Sequence, residues 1–248
     1  MDSPIFHAPP ERWNEGTVEL SPTEARHAQT VLRLKPGALV TVVDGLGRAA
    51  VGELVSSGSR HLSVRVHSEI RNLGEPLVKL TLAAGLSTGT KFDDLVEKGT
   101  ELGVSRFVPI ITDKSKVRLD DASKAKTRVA RLEKVALAAI KQCRRSYRPV
   151  ISAPTRLPQF LRETDTGSLN LLFVPAPTAE PLSHLQPPKQ VRRVSLLIGP
   201  ESGFSPDEVR LAVASGFAPI TLGGRILRTE TAGPVCAALV LQMLGELS

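Results

Sequence analysis

Cysteine and aromatic residues are scarce in this chain. Its 248 residues include two cysteines, one tryptophan, one tyrosine and seven phenylalanines. Aromatics make up 4% of the total, so any core must be mainly aliphatic. Cys143 and Cys236 both fall in helical patterns. Two such thiols argue against a disulfide framework or a cysteine zinc site, and they suit a reducing cytoplasm. The five histidines are scattered without metal-ligand spacing, so no metal is expected. No apolar run approaches the roughly 20 residues needed to span a bilayer, and no membrane association is expected. The stretch from Met1 to Trp13 lacks the basic-then-apolar order of a signal peptide. Phosphate-binding signatures are missing too. The apolar run ending at Ala84 is followed by Gly85-Leu86-Ser87-Thr88-Gly89-Thr90-Lys91, which fits neither a dinucleotide fingerprint nor a P-loop. No GxSxG nucleophile elbow occurs either.

Positive charge is in excess. Lys and Arg number 32 against 25 Asp and Glu, a net charge of +7. Such a surplus attracts polyanions through counterion release. The densest basic stretch covers residues 114–148. Within it Val129, Leu132, Ala136, Ile140 and Cys143 recur at spacings of three and four, which defines one buried helical stripe. The remaining surface carries Lys124, Lys126, Arg128, Arg131, Lys134, Lys141, Arg144 and Arg145, with Glu133 as its one acid. That imbalance predicts a face turned towards RNA or DNA, the plainer alternative being a solvated helix surface.

Residues 1–72 read as a small β-barrel. Leu39–Val43, Ala49–Val55 and His61–Val66 are short, β-branched and partly alternating, and glycine- and serine-rich turns separate them. One helix should interrupt them, opened by the capping-box order Ser21-Pro22-Thr23-Glu24 and closed before Pro36-Gly37. Residues 73–248 read as an α/β domain. Strands are predicted at Leu77–Ala84, Phe107–Ile111, Leu169–Val174, Val194–Ile198 and Pro219–Leu222. Helices are predicted at Phe92–Leu102, Ala122–Tyr147, Asp207–Ser215 and Ala232–Glu246. This alternation implies a mostly parallel sheet with helices on both faces. The proline-rich stretch from Pro175 to Pro188 should be loop.

Two glycine-opened loops follow the late strands, where α/β proteins hold their ligands. The first, Ile198 to Val209, places Glu201 between a strand end and a helix that starts with the capping-box order Ser205-Pro206-Asp207-Glu208. The second, from Leu222, sets Arg225, Arg228, Thr229, Glu230 and Thr231 before a run of small apolar residues. Gly223 and Gly224 disfavour helix by roughly 1 kcal/mol each, so this polar segment is predicted as loop up to Ala232.

These loops resemble a known family. LIGPESGFSPDEV, Leu197 to Val209, is similar to a GPEGG-type loop, and LGGRILRTETA, Leu222 to Ala232, to the LGxRILRTETA loop of the 16S ribosomal RNA (uridine-N3)-methyltransferases. HAQTVLRLKPG from His27, EKGTELGV from Glu97 and QCRR from Gln142 resemble further motifs of that family. The family lies in the SPOUT superfamily of S-adenosylmethionine enzymes. The resemblance implies a SPOUT-type trefoil-knotted parallel sheet with helices on both faces and a PUA-like N-terminal barrel that helps hold RNA. It also implies a homodimer, with S-adenosylmethionine as methyl donor and small-subunit ribosomal RNA as partner, within the assembled 30S particle. The product would be a uridine of the decoding region methylated at N3.

Under this resemblance Arg228 would stabilise charge developing on the uracil oxygens, with Arg225 as the alternative. Glu201 would accept a proton or a hydrogen bond. The cofactor would meet Phe173, Val174, Gly199, Glu201, Gly203, Leu222, Gly223, Ile226, Leu227 and Arg228. RNA would meet His27, Arg33, Lys91, Arg128 and Arg131. The chain departs from the family pattern at several points. Ser202 replaces a glycine, Gly224 stands where proline is common, Lys141 replaces an acid, and no arginine precedes Phe6. An inactive RNA-binding relative and a SPOUT enzyme with another RNA target share most of these motifs.

Overall fold

A computed structural model describes residues 3–57, 61–87, 89–115, 122–176 and 178–247. Contacts divide the chain into two units. Met1–Glu75 with Leu137–Arg148 form the first, and Pro76–Ala136 with Pro149–Ser248 the second. The division thus falls at 75/76 rather than 72/73, and the segment 137–148 returns to the first unit.

The first unit contains β1 (Ile5–His7), β2 (Trp13–Asn14), β3 (Thr17–Glu19), α1 (Pro22–Arg26), β4 (Leu39–Val43), β5 (Arg48–Ser57) and β6 (His61–Arg71). The strands form one sheet in the order β1-β4-β5-β6-β3-β2, with β1 parallel to β4 and the other pairs antiparallel. Phe6, Val18, Ala28, Val40, Val42, Leu54 and Val64 build its core. The β5–β6 ladder shifts register at Val51/Gly52. A Cβ on Gly52 would lie 2.1 Å from the Arg65 carbonyl oxygen, so only glycine fits there. The Ser21 cap forms in part. Its hydroxyl accepts from the Glu24 amide, whereas the Glu24 carboxylate turns to Lys141 Nζ at 2.7 Å instead of completing the box.

The second unit is built on parallel strands β7 (Lys79–Gly85), β8 (Arg106–Ile111), β9 (Val150–Ile151), β10 (Thr155–Arg156), β11 (Leu169–Phe173), β12 (Glu180–Pro181), β13 (Arg193–Ile198) and β14 (Ala218–Thr221). Their order is β10-β8-β7-β13-β11-β14-β12, with β9 also beside β8. The sheet alternates between two cores. Leu80, Leu82, Leu171, Val194 and Leu196 enter one of them, and Ala83, Leu172 and Leu197 the other. Burial on both faces is why these strands read as unbroken apolar runs. α2 (Lys91–Glu101), the first part of α3 (Ala122–Cys143) and α6 (Thr229–Met243) cover the first face. α4 (Leu157–Glu163) and α5 (Pro206–Ala214) cover the second.

Several boundaries differ from expectation. α3 stops at Cys143 rather than Tyr147, because Arg144 adopts a left-handed φ of 64°. α6 starts at Thr229 rather than Ala232. The Arg228 carbonyl accepts from the amides of Thr231 and Ala232, and Glu230 suits the positive end of the helix. Helix α4 and the two-residue strands β9, β10 and β12 were not expected. Lys141 and Arg145 leave the predicted basic face altogether. Lys141 pairs with Glu24, and Arg145, 2% exposed, is buried against Glu75 at 2.7 Å.

Candidate functional site

The glycine-opened loops after β13 and β14 come together at the carboxyl end of the parallel sheet. β13 lies between β7 and β11, so chain order breaks there and leaves a crevice. A cavity of about 330 Å3 opens in it. Phe173 and Val174 from the end of β11 form one wall, and Ile198, Gly199, Glu201 and Gly203 a second. Leu222, Gly223, Ile226 and Leu227 close the third side. Gly203 and Gly223 take φ values of 67° and 99°, which turn the backbone back around the cavity without a side chain in the way.

Polar groups ring its edge. Glu201 Oε1 accepts from Lys91 Nζ at 2.7 Å, and this bond raises the lysine pKa above its usual value. Thr229, buried at the start of α6, donates its hydroxyl to the Gly199 carbonyl at 2.9 Å. Arg225 lines the cavity. Arg228 does not: it is the N-cap of α6, with an exposed side chain outside the lining. The electrostatic neighbours of Lys91 are Glu201, Glu230 and Arg228, so these four charges share the rim. One oxygen of Glu230, Oε2, is buried with no hydrogen-bond partner.

Sequence reasoning gave no site role to the lining residues Phe204 and Cys236. Phe204 lies against Gly199, 3.2 Å from where a Cβ would stand. Cys236 sits about two helical turns beyond Thr229, and burial pushes its thiol up to about 12. Thr229 was placed at the mouth, but not as a bridge between loops. The spacing Thr229, Ala232, Cys236 is the helical signal that would have put all three on the cavity wall. Ser202 fills its departure from the family pattern with a contact of its own, a 3.4 Å hydrogen bond to the Lys114 carbonyl.

The expected RNA contacts are spread more widely. His27 stands edge-on to Phe6 at 6.1 Å, and Arg33 is exposed with a φ of 52°. Arg131 lies 3.0 Å from Asp93 on α2, an ionic contact without hydrogen-bond geometry. Arg128 is half-buried, and desolvation lowers its pKa. Among the described residues no group of three or more His, Cys, Asp or Glu could hold a metal, and no helix is long and apolar enough to cross a membrane.

A family model described as an RNA methyltransferase domain matches residues 74–241, and an RNA methyltransferase PUA domain matches residues 20–66. This chain belongs to the RNA methyltransferase family. The ribosomal RNA small subunit methyltransferase E of Synechocystis sp. is 30% identical, across 95% of this chain and 76% of that one. The Bacillus subtilis protein of the same name is 30% identical, across 93% of this chain and 91% of that one. The crystal structure of a ribosomal RNA small subunit methyltransferase E from Neisseria gonorrhoeae bound to S-adenosylmethionine superposes with a TM-score of 0.85 at 28% identity, covering 98% of both chains.

Proposed function

We propose that this protein transfers a methyl group from S-adenosylmethionine to N3 of a uridine in the decoding region of small-subunit 16S ribosomal RNA. The observation that carries the reading is the cavity between the Gly199–Phe204 and Leu222–Leu227 loops. Its residues fit the cofactor. The apolar side chains of Phe173, Val174, Ile198 and Leu227 suit adenine, and the backbone at Gly199, Gly203 and Gly223 allows close approach. Glu201 at the edge suits a ligand that carries positive charge. When bound, the sulfonium compound supplies an electrophilic methyl group.

The protein's own part is positioning and charge. Arg228 and Arg225 are the guanidinium groups at the rim, and we assign Arg228 to stabilise charge on O2 or O4 as N3 loses its proton. Glu201 accepts a hydrogen bond or the proton, with its other partner, Lys91, fixing the carboxylate. His27, Arg33, Lys91, Arg128 and Arg131 hold RNA. The protein acts in the cytoplasm as a homodimer on the 30S particle. The 86% exposure of Ile226, an apolar residue on the cavity loop, supports a partner surface there. The insertion of β13 between β7 and β11 supports the trefoil knot that the family resemblance implies.

Mass mapping of 16S ribosomal RNA from cells with and without the protein tests the reaction. Loss of one N3-methyluridine is expected, and an unchanged map overturns the reading. Arg228→Ala should slow methyl transfer by about 10²–10³ and leave S-adenosylmethionine affinity within about twofold. A mutant that turns over RNA at the parental rate would move the role to Arg225.

A further inference from the structure

The two cavity loops are 30 residues apart in sequence, and one part-buried hydrogen bond ties them together. Thr229 Oγ1 donates to the Gly199 carbonyl at 2.9 Å, and Thr229 is 4% exposed. The donor side of this bond is shielded from water, and its loss leaves the carbonyl of half-buried Gly199 without that donor. Thr229 is also the first residue of α6, directly after Arg228 at the N-cap. Whatever fixes Thr229 therefore fixes the backbone from which the Arg228 guanidinium extends.

The far side of the Gly199 loop is closed as well. A Cβ on Gly85, at the end of β7, would lie 2.3 Å from Pro200 N and 2.6 Å from Pro200 Cα, so strand and loop are packed backbone to backbone. On the near side the Gly203 amide bonds to the Pro200 carbonyl at 2.8 Å and folds the loop on itself. The loop cannot retreat towards β7. The Thr229 hydroxyl prevents it from moving away.

We infer that Thr229 is a positioning residue that couples the cofactor loop to the arginine of the substrate side. Through Gly199 it holds the Gly199–Phe204 loop against α6, and through the α6 N-terminus it sets where Arg228 stands relative to that loop. The inference rests on the reading of this cavity as the methyl-donor site. The same coupling also makes a prediction about the free protein.

The test uses the full chain with Thr229→Val, which keeps the shape and removes the hydroxyl, and Thr229→Ser, which keeps the hydroxyl. Hydrogen–deuterium exchange in the free protein should rise about five- to tenfold over residues 199–204 in Thr229→Val, and stay within about twofold in Thr229→Ser. S-Adenosylmethionine Kd by calorimetry should rise about tenfold in the valine variant, with kcat falling alongside, and serine should restore both. A general rise in exchange across α6 and the sheet, with no focus on residues 199–204, would reduce Thr229 to a helix-start residue and overturn the inference. Unchanged exchange and Kd in Thr229→Val would do so too. If the parental protein bound no S-adenosylmethionine, the functional reading would fail, and the exchange data would still decide the coupling.

Discussion

The guanidinium of Arg145 is buried and paired with Glu75. In sequence it belongs to a run of cations that predicts a solvated or RNA-facing surface. In the structure its guanidinium is buried, with Nη2 2.7 Å from Glu75 Oε2, while the Tyr147 amide donates to Glu75 Oε1 at 2.7 Å. Both carboxylate oxygens are thus used, which a buried pair requires if attraction is to offset desolvation. Removing one partner strands the other charge. Arg145→Met should therefore destabilise the protein by about 3–5 kcal/mol, a fall in melting temperature of about 10 °C for a chain of this size. Arg145→Lys should recover only part of this, because an ammonium cannot reproduce the guanidinium fork. A melting temperature within 2 °C of the parent, measured by calorimetry for Arg145→Met, would show that the pair contributes little beyond its burial cost. A cation count along a helix cannot reveal this pairing, since its acid lies 70 positions away.

The loop after β14 is constrained at a single backbone position, Gly223. Gly223 has a φ of 99°, in the region that L side chains rarely adopt, and nothing stands within 4 Å of its missing Cβ. The constraint is conformational rather than steric, and a β-branched residue is the worst fit to it. Gly223→Val should weaken S-adenosylmethionine binding about tenfold or more and lower the melting temperature by only a few degrees. A large loss of stability with unchanged affinity would make this glycine purely structural. The central strands were legible because both faces of the sheet are buried, so β7, β11 and β13 stand out as apolar runs. α5 was legible from its cap, and Ser205 and Glu208 do exchange both capping bonds. The start of α6 was not. The glycines at 223 and 224 lowered helix propensity locally, yet the helix begins five residues later, where Thr229 is anchored by a tertiary bond to Gly199. Edge strands of two residues, such as β9, β10 and β12, have no period to detect, and α4 is too short to show one clearly. Of the ten residues that the family resemblance implied for the cofactor, nine line the cavity. Arg228 lies outside that lining because it is the N-cap of α6, and the direction of its side chain depends on where the helix starts.

For the whole molecule, the net charge of +7 is a statement about partners, and the structure refines where that charge is available. Lys126 and Lys134 are exposed along the first part of α3. Arg131 is exposed too, but Asp93 lies 3.0 Å from it, and Arg128 is half-buried. An arginine already beside a carboxylate releases fewer counterions when a phosphate arrives. The lysines should therefore carry more of the salt dependence of RNA binding than the arginines, contrary to the weight that sequence gave Arg128 and Arg131. Phosphate contacts of this kind position RNA without reading its bases. Neutralising Lys126 and Lys134 together should lower the salt slope of binding by about 1 per residue, equally for cognate and unrelated RNA fragments. Arg131→Ala alone should change it by clearly less than 1. Titrations at several salt concentrations measure both. If the lysine pair left the slope unchanged while Arg131→Ala reduced it by a full contact, RNA would have to displace Asp93 on binding. The α2–α3 surface would then be a site that opens for its ligand rather than one already open to it.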